Sequence, residues 1–221
     1  MTDVNEKDAT KKRERNSAMS TPMLSWQRLR AGNERVFVPG WQRRAGLVEE
    51  RPAAAVFRCA DAAVASATVF GQDCGSLVDI STWGHVIDSG VLATLDYAVE
   101  ELHVPLIVVL GHQECRAMRT AVRAWENADI PIGSTRVMVE HAIGSIVRRG
   151  LTAESVETVC AAHTVETGLA LLERSPAIAR GVEAGKCGIV CATIDAADGR
   201  IIPHATVGPV GEVADGLLEC V

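Results

Sequence analysis

Apolar runs of strand length alternate along the chain with stretches whose apolar residues recur at helical spacing. The run Ala53–Cys59, "AAAVFRC", reads as a buried strand, and Ser76–Thr82, "SLVDIST", as a second, shorter one. "PLIVVLGH" (Pro105–His112) is the clearest. It is apolar at consecutive positions, as a strand buried on both faces of a parallel sheet must be. A last strand, Cys187–Asp195, turns at "AADGR" into "IIPHATVG", a hairpin at a sheet edge. Between the strands, Asp88–Leu102 puts Val91, Leu92, Leu95, Ala98, Val99 and Leu102 on one helical face, with Asp88 or Ser89 as its cap. Further helices are expected over Glu114–Asn127, Val137–Arg149 and Glu154–Glu173, and a short one over Ala62–Phe70. Ser25 reads as the N-cap of an earlier helix through "WQRLRAGNERVFV", with Trp26, Leu29 and Val36 as its buried stripe and the basic connection "PGWQRRAG" after it. The β-α-β alternation predicts an α/β fold: a mostly parallel central β-sheet flanked by helices, with an antiparallel edge strand.

Polar and charged residues dominate positions 1–22, which are expected to form a flexible tail; its "KKRER" run (Lys11–Arg15) could meet a polyanion. Residues 23–221 are then a single domain. The net charge of -6 argues against a nucleic-acid partner, which favours basic proteins. No apolar run reaches the roughly 18 residues of a membrane span. The N-terminus lacks the apolar segment of a secretory signal, so a cytoplasmic location is expected. Seven cysteines without an export signal point to free thiols or metal ligands rather than a disulfide framework.

Candidate chemistry gathers where strands end. Cys59 and Asp61 are two apart at the end of one strand, a spacing that puts both side chains on one face. His112 and Cys115, spaced H-x-x-C, follow the central strand, at the carboxyl edge where open α/β sheets place their sites. Two thiols, an imidazole and a carboxylate suit Zn²⁺ in a tetrahedron. By spacing alone, buried core cysteines would account for the same residues equally well.

"CAD" at 59–61, followed by "GHVIDSGVLATLDYAVEELHVPLIVVLGHQEC", resembles the β-class carbonic anhydrases. "W..L..GNERV" (Trp26–Val36) is similar to that family's N-terminal helix, and "GIVCATIDAADGRI" to its closing strand and turn, so the resemblance covers about residues 24 to 213. It implies zinc carried on Cys59, His112 and Cys115, and reversible hydration of CO2 to bicarbonate through a zinc-bound hydroxide. It gives Asp61 the role of accepting a hydrogen bond from the zinc-bound water. An arginine two residues beyond that aspartate holds it off the metal; once released, the aspartate becomes the fourth ligand and the site shuts. The family also implies a homodimer built through the N-terminal helices and a sheet edge, or a higher homo-oligomer.

The chain departs from that pattern at the metal. Ala63 stands where the arginine is expected, Arg116 where glycine usually follows the second cysteine, Ser81 for an arginine, Trp83 for a small residue and Ile194 for a tyrosine. Arg116 is a candidate replacement that reaches Asp61 from the other side; the alternative is a solvent-facing arginine or a pair with Glu114. Gln72, Trp83 and His85 are expected at the substrate pocket, with His85 either shuttling protons or simply hydrogen-bonded at a helix entry. His103, His141, His163 and His204 are expected to be surface or structural, and Cys74, Cys160 and Cys220 lack a partner at metal spacing. Cys187 and Cys191 fit core packing. Three functions stay open: a CO2-hydrating lyase, a non-catalytic relative with a closed Cys-Cys-His-Asp zinc, and a zinc hydrolase for a CO2-like thio-substrate.

Overall fold

The structure, a computed structural model, describes residues 21–37, 51–73, 75–151 and 155–211. Its centre is a five-stranded sheet of β1 (Ala54–Cys59), β2 (Leu77–Thr82), β3 (Leu106–His112), β4 (Gly188–Ile194) and β5 (Ile201–Val207), in the order β2-β1-β3-β4-β5. β2, β1, β3 and β4 are parallel, and β5 closes one edge antiparallel to β4. The continuously apolar strands hold the centre: β4 is buried throughout, and β3 up to His112. β2, with its alternating polar positions, lies at the other edge, half-exposed.

The period of two splits the sheet's side chains between two cores. Ala55, Phe57, Ile107, Val109, Ile189 and Cys191 pack with helices α3 (Ser89–Glu100), α6 (Val156–Arg174) and α7 (Pro176–Glu183). Val56, Val108, Leu110 and Val190 pack against Trp26 and Leu29 of α1 (Pro22–Val36) and Val69 of the short α2 (Ser66–Val69). A third apolar cluster joins α4 (Arg116–Asn127), α5 (Thr135–Arg148) and the first turn of α6 around Met118 and Met138, and it includes Cys59 and Cys115.

Several helix ends differ from expectation. α1 is capped by Thr21, whose hydroxyl accepts from the Leu24 amide at 3.3 Å, with Pro22 opening the helix; Ser25 lies inside it and is buried. Proline's fixed φ and missing N–H suit the first helical position. Thr21 and Pro22 therefore belong to the folded domain, whereas the rest of the tail, the basic connection, Cys74 and Cys220 lie outside the described residues. Asp88 caps α3 through the Val91 amide at 2.8 Å. The chain over 62–65 stays irregular before α2. α7 is an addition: Ser175 ends α6 and its hydroxyl accepts from the Ile178 amide, with Pro176 opening the new helix.

Candidate metal centre

Parallel pairing of β1 with β3, from Ala55↔Ile107 to Arg58↔Leu110, brings the ends of both strands to one edge of the sheet. Cys59 and His112 leave that edge side by side. The chain then turns sharply, with Glu114 in the left-handed region at φ 56°, and delivers Cys115 as the residue that begins α4. The Cys59 and Cys115 sulfurs and a ring nitrogen of His112 lie within 4.8 Å of one another.

Three observations fit this trio to a metal such as zinc. The two sulfurs are 3.8 Å apart; two Zn–S bonds of about 2.3 Å at a tetrahedral angle put sulfurs about 3.8 Å apart. His112 Nδ1 is 2.9 Å from the Gln113 carbonyl, which can only accept, so Nδ1 carries the hydrogen and Nε2 presents a bare lone pair. That Nε2 is buried and has no hydrogen-bond partner among the described residues. The electrostatics agree. Without a cation the thiols hold their protons: the contact with Cys115 and burial push Cys59 far up, and Cys115 is pushed up to about 12, first by its contact with Cys160. For His112, burial pulls the imidazole down, but the Cys59 contact leads a larger upward effect. A divalent cation reverses the balance for the thiols by stabilising thiolates directly.

Asp61 is held from the side opposite its own loop. The Arg116 amide donates to Oδ2 at 2.7 Å and the Arg116 Nε donates to Oδ1 at 2.6 Å. The amide is one of the unpaired N–H groups at the start of α4, so the helix's positive end faces the carboxylate. Oδ2 also lies 3.9 Å from His112 Nε2. The Asp61 side chain is 6% exposed and that of Arg116 76%, so the guanidinium lies over the carboxylate as an outer cover. Ala63 is exposed, and Glu114 pairs with Arg119 instead of Arg116.

The remaining pocket candidates divide. Trp83 is half-buried against the apolar cluster that contains Cys59 and Cys115. Gln72 is buried beside α1, accepting from Arg28 Nε at 3.0 Å and donating to the Phe70 carbonyl at 2.8 Å. Of the two readings of His85, the structure carries the hydrogen-bonded one. Positive φ at Gly84 and His85, 62° and 55°, turns the ring beneath the sheet, edge-on to Phe57, with Nε2 3.1 Å from the Leu110 carbonyl. There it lines a separate cleft of about 760 Å³ with Glu140, His141 and Arg148. Burial, and then His163, pulls its pKa down to about 3, so His85 stays neutral and is no proton carrier near neutral pH.

Three contacts escaped the sequence. Besides the Gln113 carbonyl, the Gly84 amide donates to Cys59 Sγ at 3.3 Å, and Cys160 donates to the His112 carbonyl at 3.3 Å beside the Cys115 thiol. Gly84 is required twice over: its φ is 62°, and a Cβ there would stand 2.4 Å from Met138 Cγ. Its place before a histidine and after a strand was the one available signal.

Comparison with known proteins gives a consistent answer. The carbonic anhydrase family matches residues 54–201. A carbonic anhydrase of Mycolicibacterium smegmatis is 41% identical over 206 residues, covering 88% of this chain and 98% of its own length. Carbonic anhydrase 2 of Mycobacterium tuberculosis is 38% identical over 205 residues, with 87% and 98% covered. Among solved structures, the tetrameric β-carbonic anhydrases of Sordaria macrospora share the fold, with a TM-score of 0.59 at 21% identity over 69% of this chain and 80% of theirs. The chain belongs to the β-class carbonic anhydrase family.

Proposed function

We propose that the chain hydrates CO2 reversibly to bicarbonate as a zinc enzyme, and that Arg116 takes over the task of the arginine its family carries two residues beyond the aspartate. The two-point bond from Arg116 to Asp61 carries this reading. Cys59, His112 and Cys115 would hold the zinc. When bound, the ion supplies Lewis acidity that brings the pKa of a water near neutrality.

The other parts of the reaction fall to the chain's own groups. Asp61 Oδ2 keeps a lone pair beyond the one that the Arg116 amide uses. It accepts a hydrogen from the attacking water and so orients the water's own lone pair toward CO2. Arg116 fixes the carboxylate in plane, which keeps Oδ2 an acceptor instead of a fourth ligand. Trp83 and Val86, only partly buried against the cluster that contains the cysteines, leave apolar surface that suits a small substrate without a dipole. The working assembly is a homodimer or a larger homo-oligomer.

Stopped-flow CO2 hydration by the zinc-loaded protein between pH 6.5 and 9, with Cys59→Ala as the blank, tests the proposal. Activity that rises with pH and disappears in the variant is the expected result. One zinc per chain with no rate above the blank would leave the closed, Asp61-ligated site as the better description.

A further inference from the structure

Gly84 makes two buried hydrogen bonds that lead in opposite directions. Its amide donates to Cys59 Sγ at 3.3 Å, and its carbonyl lies 2.9 Å from His163 Nε2. His163 sits on α6, 4% exposed, with Nδ1 2.9 Å from the Ser145 hydroxyl of α5. The polarity is fixed at the Gly84 end. A carbonyl can only accept, so Nε2 carries the imidazole hydrogen, and Nδ1 is left as an acceptor facing the Ser145 hydroxyl, whose single hydrogen is shared between Nδ1 and the His141 carbonyl 3.2 Å away. Burial holds the ring neutral by pulling its pKa down to about 4, and both ring nitrogens have partners, as a buried imidazole requires. A line of contacts therefore runs Ser145–His163–Gly84–Cys59, from the α5–α6 interface to a candidate metal-binding sulfur.

We infer that His163 is a positioning residue for the metal centre: by clamping the Gly84 carbonyl it holds the Gly84 amide on the Cys59 sulfur, and so sets how much charge that sulfur gives the metal. This rests on the reading of Cys59 as a zinc ligand, but not on CO2 as the substrate. The amide and carbonyl of Gly84 flank one Cα that has no Cβ, so only packing and these two bonds stop the backbone there from rotating. An N–H aimed at a thiolate draws electron density from the sulfur, and a poorer sulfur donor leaves the metal a stronger Lewis acid. His163 meets neither the metal ligands nor the substrate side of the site; it acts through Gly84.

Cobalt(II)-loaded protein gives a readout independent of turnover, the thiolate-to-cobalt charge-transfer band. In His163→Ala the band should move to longer wavelength, because a sulfur without its hydrogen bond is easier to oxidise, and Gly84 amide exchange should quicken roughly tenfold. His163→Gln should restore both, since its amide nitrogen can occupy the place of Nε2. Ser145→Ala should shift the band the same way by less, and it serves with the glutamine variant if His163→Ala does not fold. A His163→Ala band that coincides with wild type overturns the inference, and so do equal shifts in the alanine and glutamine variants. Wild-type protein that shows no thiolate–cobalt band removes the ligand reading and this inference with it. The expected band shifts in a protein without CO2 hydration would leave the inference standing and the proposed reaction refuted.

Discussion

Arg116 approaches Asp61 with both its side chain and its main chain, so replacing it removes only half of the contact. Arg116→Ala keeps the amide bond to Oδ2 and loses the one to Oδ1. A charge-assisted hydrogen bond is worth up to a few kcal/mol, but this guanidinium is largely solvated, so kcat/KM for CO2 hydration should fall about tenfold rather than a thousandfold. Arg116→Lys should land between the two, because an ammonium lacks the planar fork. Ala63→Arg combined with Arg116→Gly should regain most of the rate; a double variant as slow as Arg116→Ala would show that the two positions are not interchangeable. Zinc uptake itself should release more than two protons per chain at pH 7, one from each thiol and a further share from the raised His112 imidazole, and a pH indicator in weak buffer would count them. Cys59, His112 and Cys115 could be singled out in the sequence because strand ends and an H-x-x-C spacing are local patterns. The Gly84 amide and Cys160 could not, because each reaches the centre only through the packing of remote segments.

The strands were the most legible elements, since a continuous apolar run of strand length has few other uses, and the central position of β3 follows from its composition. Helix ends were less so. Thr21 and Ser25 are both competent caps, and only Pro22 distinguishes them. α7 was hidden because eight residues offer too little periodicity, although Ser-Pro at 175–176 was its one local signal. Invisible in any pattern is how closely α6 lies on the sheet: a Cβ at Gly168 would be 2.5 Å from Cys191 Sγ. Gly168→Ala should therefore lower stability by about 1–3 kcal/mol in urea unfolding, despite alanine's better helix propensity. Asp88→Ala, which removes the cap of α3, should cost about 1 kcal/mol.

For the molecule as a whole, the two buried histidines make stability depend on pH. His85 and His163 have pKa values pulled down to about 3 and about 4, chiefly by burial, from an ordinary 6.5. Below about pH 6.5 the unfolded chain takes up protons that the native fold refuses, so their contribution is complete above that pH and declines as pH falls toward 4. Each histidine adds a slope of about 1.4 kcal/mol per pH unit within that window. His163→Gln should remove about half of the combined slope relative to wild type, as urea midpoints from pH 7 to 4.5 would record. Among the described residues no helix is long and apolar enough to cross a membrane. The cation beside Asp61 sits on α4, and position 63, on the carboxylate's own loop, is exposed and open to a second one. Ala63→Arg alone would place two cations near one carboxylate, and the variant should still hydrate CO2.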